Sequence, residues 1–145
     1  MKNMTLPVKS SKLFLFALLL LFAACDKDPF STEGKVEDPK WTVTVDNDMT
    51  SSMTAIVQVS FAENQGTLAA FVGDACCGVA EYVEGRYFLY IIGPQSENPV
   101  DISIRFYSPD LKRIFVAKET IPFVNDSSLG SVSEPLTFEW EVAKD

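Results

Sequence analysis

The chain has 145 residues, 12 of them basic and 20 acidic, no histidine, and a formal charge of −8. That length suits one domain, and the acidic balance argues against nucleic acid as a partner, because phosphate backbones demand clustered Lys and Arg. Histidine is the most frequent general base, the usual activator of Ser and Cys nucleophiles and the commonest metal ligand, so its absence sets the expectation of a non-enzyme with no cofactor and no metal.

The N-terminus has the three parts of a secretory signal. Lys2, Lys9 and Lys12 supply positive charge, and no acidic residue precedes Asp26. Residues 13–22 form an unbroken apolar run of ten. A membrane-spanning helix needs about 20 apolar residues, so this run fits a signal-peptide core. Ala23, Ala24 and Cys25 follow. The order Leu21-Phe22-Ala23-Ala24-Cys25 resembles the lipobox of bacterial lipoproteins, with Phe22 where Leu is usual. The resemblance implies cleavage after residue 24 and lipidation of the Cys25 thiol, which makes the membrane a partner through the anchor. Two or more acyl chains hold stably where one binds only marginally. Cys25-Asp26-Lys27-Asp28 is similar to the charged export signal of Bacteroidota surface lipoproteins and implies an outward-facing outer-membrane position. Asp directly after the cysteine also resembles an inner-membrane retention signal, which would leave the protein on the periplasmic face.

Without the signal, nine basic residues face 20 acidic ones, a formal charge of −11. Residues 25–40 read as the lipidated end and a disordered linker, charged and punctuated by Pro29, Gly34 and Pro39, too polar to offset its own ordering entropy. Fully extended, such a segment reaches on the order of 50 Å. The folded domain is expected over 41–145, enough for a single modest core.

From Trp41 the hydrophobic period becomes two. Trp41, Val43 and Val45 alternate with threonines. Met53, Ala55, Val57, Val59 and Phe61 form a second series, Val100, Ile102, Ile104 and Phe106 a third, and Leu136, Phe138, Trp140 and Val142 a fourth. Each reads as a strand with one wet face. Residues 87–92 read as a central strand, apolar on both faces. Turn residues such as Gly73-Asp74, Glu84-Gly85 and Ser108-Pro109-Asp110 separate the runs. The expected fold is all-β: one immunoglobulin-like antiparallel sandwich of about eight strands.

Residues 68–80, Leu-Ala-Ala-Phe-Val-Gly-Asp-Ala-Cys-Cys-Gly-Val-Ala, resemble a β-sandwich module that recurs in secreted and surface proteins of Bacteroidota. Ala75 and Cys77 replace the Glu and Arg usual there. The resemblance implies a fold and a surface setting, and no reaction.

Cys76 and Cys77 are adjacent, so in a strand they point to opposite faces. Cys76 is expected to be buried and Cys77 half-exposed. The acid-rich 46–48 segment and Asn125-Asp126 read as turns without the spacing of a calcium loop. Trp41 and Trp140 are expected in the core. Tyr82, Tyr107 and one of Tyr87 and Tyr90 are candidates for an exposed platform on which a sugar ring could stack, with Arg105 beside Tyr107 as a donor. The functional expectation is a non-catalytic module that binds glycan or protein, accessory to a larger envelope system. The alternative is an assembly subunit that pairs through an edge strand.

Overall fold

Alternation of apolar and polar residues decides the architecture, because successive strand residues face opposite sides and each sheet must bury one side. The computed structural model describes residues 34–44, 48–62, 65–95 and 98–144. The signal peptide, Cys25 and the linker up to residue 33 lie outside the described residues, as does Val45. Ten strands and no helix occur among the described residues: β1 (Ser51–Val57), β2 (Thr67–Val72), β3 (Ala75–Val79), β4 (Glu81–Val83), β5 (Arg86–Gly93), β6 (Val100–Ser108), β7 (Arg113–Ala117), β8 (Ile121–Phe123), β9 (Ser128–Leu129) and β10 (Trp140–Val142).

They form two sheets, ordered β4-β5-β1-β9 and β10-β7-β6-β2-β3, with β8 pairing β6 beyond the end of β7. This is the immunoglobulin order. β4-β5-β1 occupies positions D-E-B, and β7-β6-β2-β3 occupies G-F-C-C′. Position A beside β1 is filled from the C-terminal part of the chain: β9 and then Leu136 pair parallel to β1. The core lies between the sheets. Met53, Ala55 and Val57 of β1, Leu89 and Ile91 of β5, Leu68 and Ala70 of β2, and Ile102, Ile104 and Phe106 of β6 fill it. Phe106 stands at its aromatic centre, in edge contacts with Phe61, Tyr87 and Trp140.

The chain crosses between sheets on both sides of the sandwich. On one side β3 runs into β4. The Ala80 N–H still bonds Leu68 O of β2, whereas Glu81 already pairs Phe88 of β5. On the other side the series 136–142, expected as one strand, divides. Leu136 is held between Ile56 O of β1 and the N–H of Gln58 just beyond it, and Trp140 then pairs Ala117 of β7. These crossings cover edges that would otherwise be open to pairing.

Two tight turns follow their residues. Glu84 and Gly85 both have positive φ, 47° and 82°, as a two-residue type I′ hairpin requires. Gly73, φ 59°, turns β2 into β3.

The linker boundary at residue 40 is corrected. The Val36 N–H bonds Lys112 O at 2.8 Å, the Tyr107 hydroxyl donates to Val36 O at 3.4 Å, and the Lys40 N–H is capped by Asp38 Oδ1. Residues 34–44 therefore run as a strap over the outer face of the β6-β2-β3 side. The expected strand at Trp41 is part of this strap: among its described residues, 41–44, none is in a ladder, and the Thr44 N–H bonds Cys76 O. Trp41 leaves the main core and packs edge-on against Phe71, ring centroids 5.3 Å apart, in a second cluster with Ala69 and Cys76. Trp140 packs against the main core as expected.

Cys77 is also reassigned, whereas Cys76 is buried as expected. The pairing of β2 with β3 shifts by one between Ala70 and Phe71: Ala70 faces Gly78 and Phe71 faces Cys76. Cys77 is thus the extra residue of a β-bulge. It turns into the main core and is fully buried, not half-exposed, while Cys76 is buried beneath the strap. Both thiols are free. Burial pushes the Cys77 thiol up to about 11 and raises that of Cys76 as well.

Candidate functional site

The two outer sheet faces differ. The strap covers the face that carries Phe71, Arg105 and Tyr107. The outer face of β4-β5-β1-β9 is open, and its residues follow from the register. Alternation on β5 sends Tyr87, Leu89 and Ile91 inward, so Arg86, Phe88, Tyr90 and Ile92 face out. Phe88 lies between Glu81 on β4 and Ile56 on β1. Tyr90 pairs Thr54, whose hydroxyl donates to Ser128 Oγ at 3.1 Å. Tyr90 is 56% exposed and Phe88 36%. Together these residues line a shallow depression of about 360 Å3. An exposed aromatic pair rimmed by two hydroxyls and one carboxylate can stack on a flat apolar surface and hydrogen-bond its edge. Residues 87–92 were expected to be apolar-buried on both faces. The correction has a geometric cause: β5 is central within its sheet, but among the described residues no second layer covers that sheet's outside.

A polar cleft of about 240 Å3 opens at the β4–β5 turn, lined by Gln58, Ser60, Tyr82, Arg86 and neighbours. The Arg86 guanidinium is held there by backbone carbonyls: Nε donates to Val132 O at 3.3 Å and Nη1 to Gly85 O at 3.1 Å. Tyr82, 37% exposed, lays its ring against Tyr87 with centroids 4.9 Å apart. The Tyr87 hydroxyl accepts the Gly66 N–H at 3.1 Å. Burial raises the Tyr87 phenol above its ordinary value, with that hydrogen bond opposing.

The sequence-chosen residues Tyr107, Arg105 and Tyr82 do not form one site. Tyr107 is only 6% exposed and is roofed by Val36, so it is no platform. Alternation does place it beside Arg105 on one face, but the strap occupies that face. Arg105 serves the fold. Its guanidinium stacks on Phe71 at 4.2 Å, and its Nη2 bonds Gly73 O and Asp74 Oδ1, pinning the β2–β3 turn. Tyr82 sits on the other sheet, in the cleft. Of the Tyr87 and Tyr90 pair, Tyr90 is the exposed member. Phe88, Arg86 and Gln58 were missed. Inward placement of Tyr87, Leu89 and Ile91 would have placed Phe88 on the outside beside Tyr90. Among the described residues, no three His, Cys, Asp or Glu side chains converge as a metal site would need.

No family model, curated protein or solved structure matches the chain. Fold and surface alone therefore define its class: an immunoglobulin-like β-sandwich with one sheet face strapped over and the other left open and aromatic.

Proposed function

We propose that the chain is a lipoprotein anchored through Cys25 in the outer membrane, facing outward, whose sandwich is a non-catalytic module that binds glycan on the open face of β4-β5-β1. One observation carries the binding reading: Phe88 and Tyr90 stand exposed on a rigid, paired strand, flanked by the Thr54 and Ser128 hydroxyls. Flat rings on a preformed surface bind with little ordering entropy. The lipobox-like 21–25 segment and the likeness of 68–80 to a Bacteroidota surface module support the setting.

Screening the purified protein on a glycan array tests the reading. Retained sugar, lost in a Phe88→Ala/Tyr90→Ala variant, is the expected result. An envelope pull-down that recovers a protein while the array stays blank would move the function to protein binding. Assembly through an edge strand gains less support, because three of the four outermost strands, β4, β9 and β10, have three, two and three residues, and the fourth, β3, has five, with Cys76 O already bonded by the Thr44 N–H; short edges offer few pairing groups.

A further inference from the structure

We infer that the cleft at the β4–β5 turn is a subsite for a carboxylate-bearing sugar unit, with Arg86 as the carboxylate receptor and the Tyr82 ring as its wall. The inference rests on the glycan reading above and names the chemistry of one position in that ligand.

Four observations converge on it. The cleft holds about 240 Å3, below the roughly 300–1,000 Å3 of pockets for drug-sized ligands, a size suited to one ring. Its wall is polar and aromatic together, with the Gln58 amide, the Ser60 hydroxyl and the part-exposed Tyr82 ring. Arg86 is fixed before any ligand arrives, because carbonyls of Gly85 and Val132 hold two of its nitrogens. A guanidinium oriented in this way keeps Nη2 for a carboxylate, in a direction fixed by the two carbonyl bonds, a charge-assisted contact. Among the described residues no carboxylate pairs with it, whereas Arg105 and Lys118 are each paired, with Asp74 and Glu139.

Arg86, which lines the cleft, also belongs to the open side of β5. Arg86, Phe88 and Tyr90 alternate along one side of β5, so they follow one another at about 7 Å. A saccharide lying along β5 would stack on Tyr90 and Phe88 and place its next unit at Arg86. Glu81 beside Phe88 makes the middle position hostile to a second acid. The site therefore reads a polarity: a neutral segment on the rings and one acidic unit at the hairpin end.

Binding of matched saccharides by the purified chain in detergent, measured by calorimetry, tests this. The probes are trisaccharides of glucose, xylose and mannose, each with and without one glucuronate. At least one acidic member is expected to bind about tenfold tighter than its neutral partner, the strength of one charge-assisted hydrogen bond. The ratio should fall toward one in Arg86→Gln and to an intermediate value in Arg86→Lys, which keeps the charge and loses the carbonyl bonds that fix its direction. Near-ultraviolet circular dichroism confirms that each variant is folded. If Arg86→Gln unfolds, Arg86→Lys still decides. Equal binding of neutral and acidic members by the native chain overturns the subsite and leaves the platform standing. Binding of no saccharide overturns both.

Discussion

Gly78 is an exacting position in the fold, and it lies directly behind the open face. A Cβ placed there would stand 2.4 Å from Tyr90 O and 3.3 Å from Ile91 Cα. The atoms it meets are backbone of β5, a strand held by β4 on one side and β1 on the other, so no rotamer change can relieve the clash. Overpacking a formed core costs roughly 1–3 kcal/mol. A contact with paired backbone belongs at the upper end, so Gly78→Ala is expected to lose about 3 kcal/mol. That is a large share of the ~5–15 kcal/mol that stabilises a domain. In urea, with a slope of about 1.5 kcal/mol/M, the midpoint falls by about 2 M. Tryptophan fluorescence reports the transition. Gly73→Ala is the control. Its φ is +59° and nothing stands within 4 Å of its Cβ, so only the left-handed backbone penalty of about 1 kcal/mol applies. A Gly78→Ala variant within about 0.5 kcal/mol of the parent would refute the close crossing of β3 over β5. It would also remove the reason for regarding the Tyr90 backbone as rigidly placed.

Other expectations follow from the strap, the core and the anchor. Trp41→Ala should speed labelling of Cys76 by a disulfide reagent about tenfold at neutral pH, because Trp41 packs on its cluster. Cys77 should stay unlabelled until global unfolding, and equal rates at the two thiols would contradict their placement on opposite faces. Phe106→Ala should cost about 3–5 kcal/mol in chemical denaturation, as its fully buried ring touches Phe61, Tyr87 and Trp140. Stability should fall as pH rises between about 9 and 11. In that window the unfolded Cys77 thiol, at its ordinary 9.0, loses its proton while the folded one, at about 11, keeps it. Cys77→Ala should flatten that alkaline limb without abolishing it, since the Tyr87 phenol is raised too. Cys25→Ala should move the protein from the membrane fraction to the soluble one, and continued membrane partition would show the anchor to be misassigned.

The inter-sheet core was legible because a period of two leaves little choice. The β1 and β6 series place Met53, Ala55, Val57, Ile102, Ile104 and Phe106 on the buried face as alternation requires. The β4–β5 hairpin was legible from Glu84-Gly85. What alternation cannot report is what lies on the far side of a sheet. Tyr107 and Arg105 share a face, and nothing in their own segment says that residues 34–44 will lie across it. Residues 34–40 looked too polar to pack and Trp41 was expected in the core, yet Val36 and Trp41 suffice as anchors when each meets a ready partner, Tyr107 and Phe71. The bulge at Cys77 escaped for a related reason: it is a mismatch between two strands, visible in neither strand alone. The platform was half legible. Tyr90 stood among the candidates, but an aromatic-rich strand such as 86–93 resembles one buried on both faces, and only the missing outer layer separates the two cases.

The difference between the two outer faces bears on how the module works. Both carry aromatic side chains on paired strands. On the β6-β2-β3 side, Phe71 has Trp41 above it and Arg105 stacked against it, so the chain itself supplies the covering layer. On the β5-β1 side, Phe88 and Tyr90 are left to solvent, although leaving large rings exposed forgoes roughly 1.5–3 kcal/mol of burial for each. On the glycan-binding reading, the bare face on strands pinned by Gly78 is the one preorganised for the ligand. On the lipoprotein reading, the tether joins the sandwich at the strapped side, and the open face lies across the full thickness of the two sheets from that junction, about 10 Å between sheets. If the bare face instead lay against the membrane, a spin label at Tyr90→Cys in lipid-anchored protein would be shielded from an aqueous paramagnetic quencher. Full accessibility is the expected result, and shielding would overturn outward presentation.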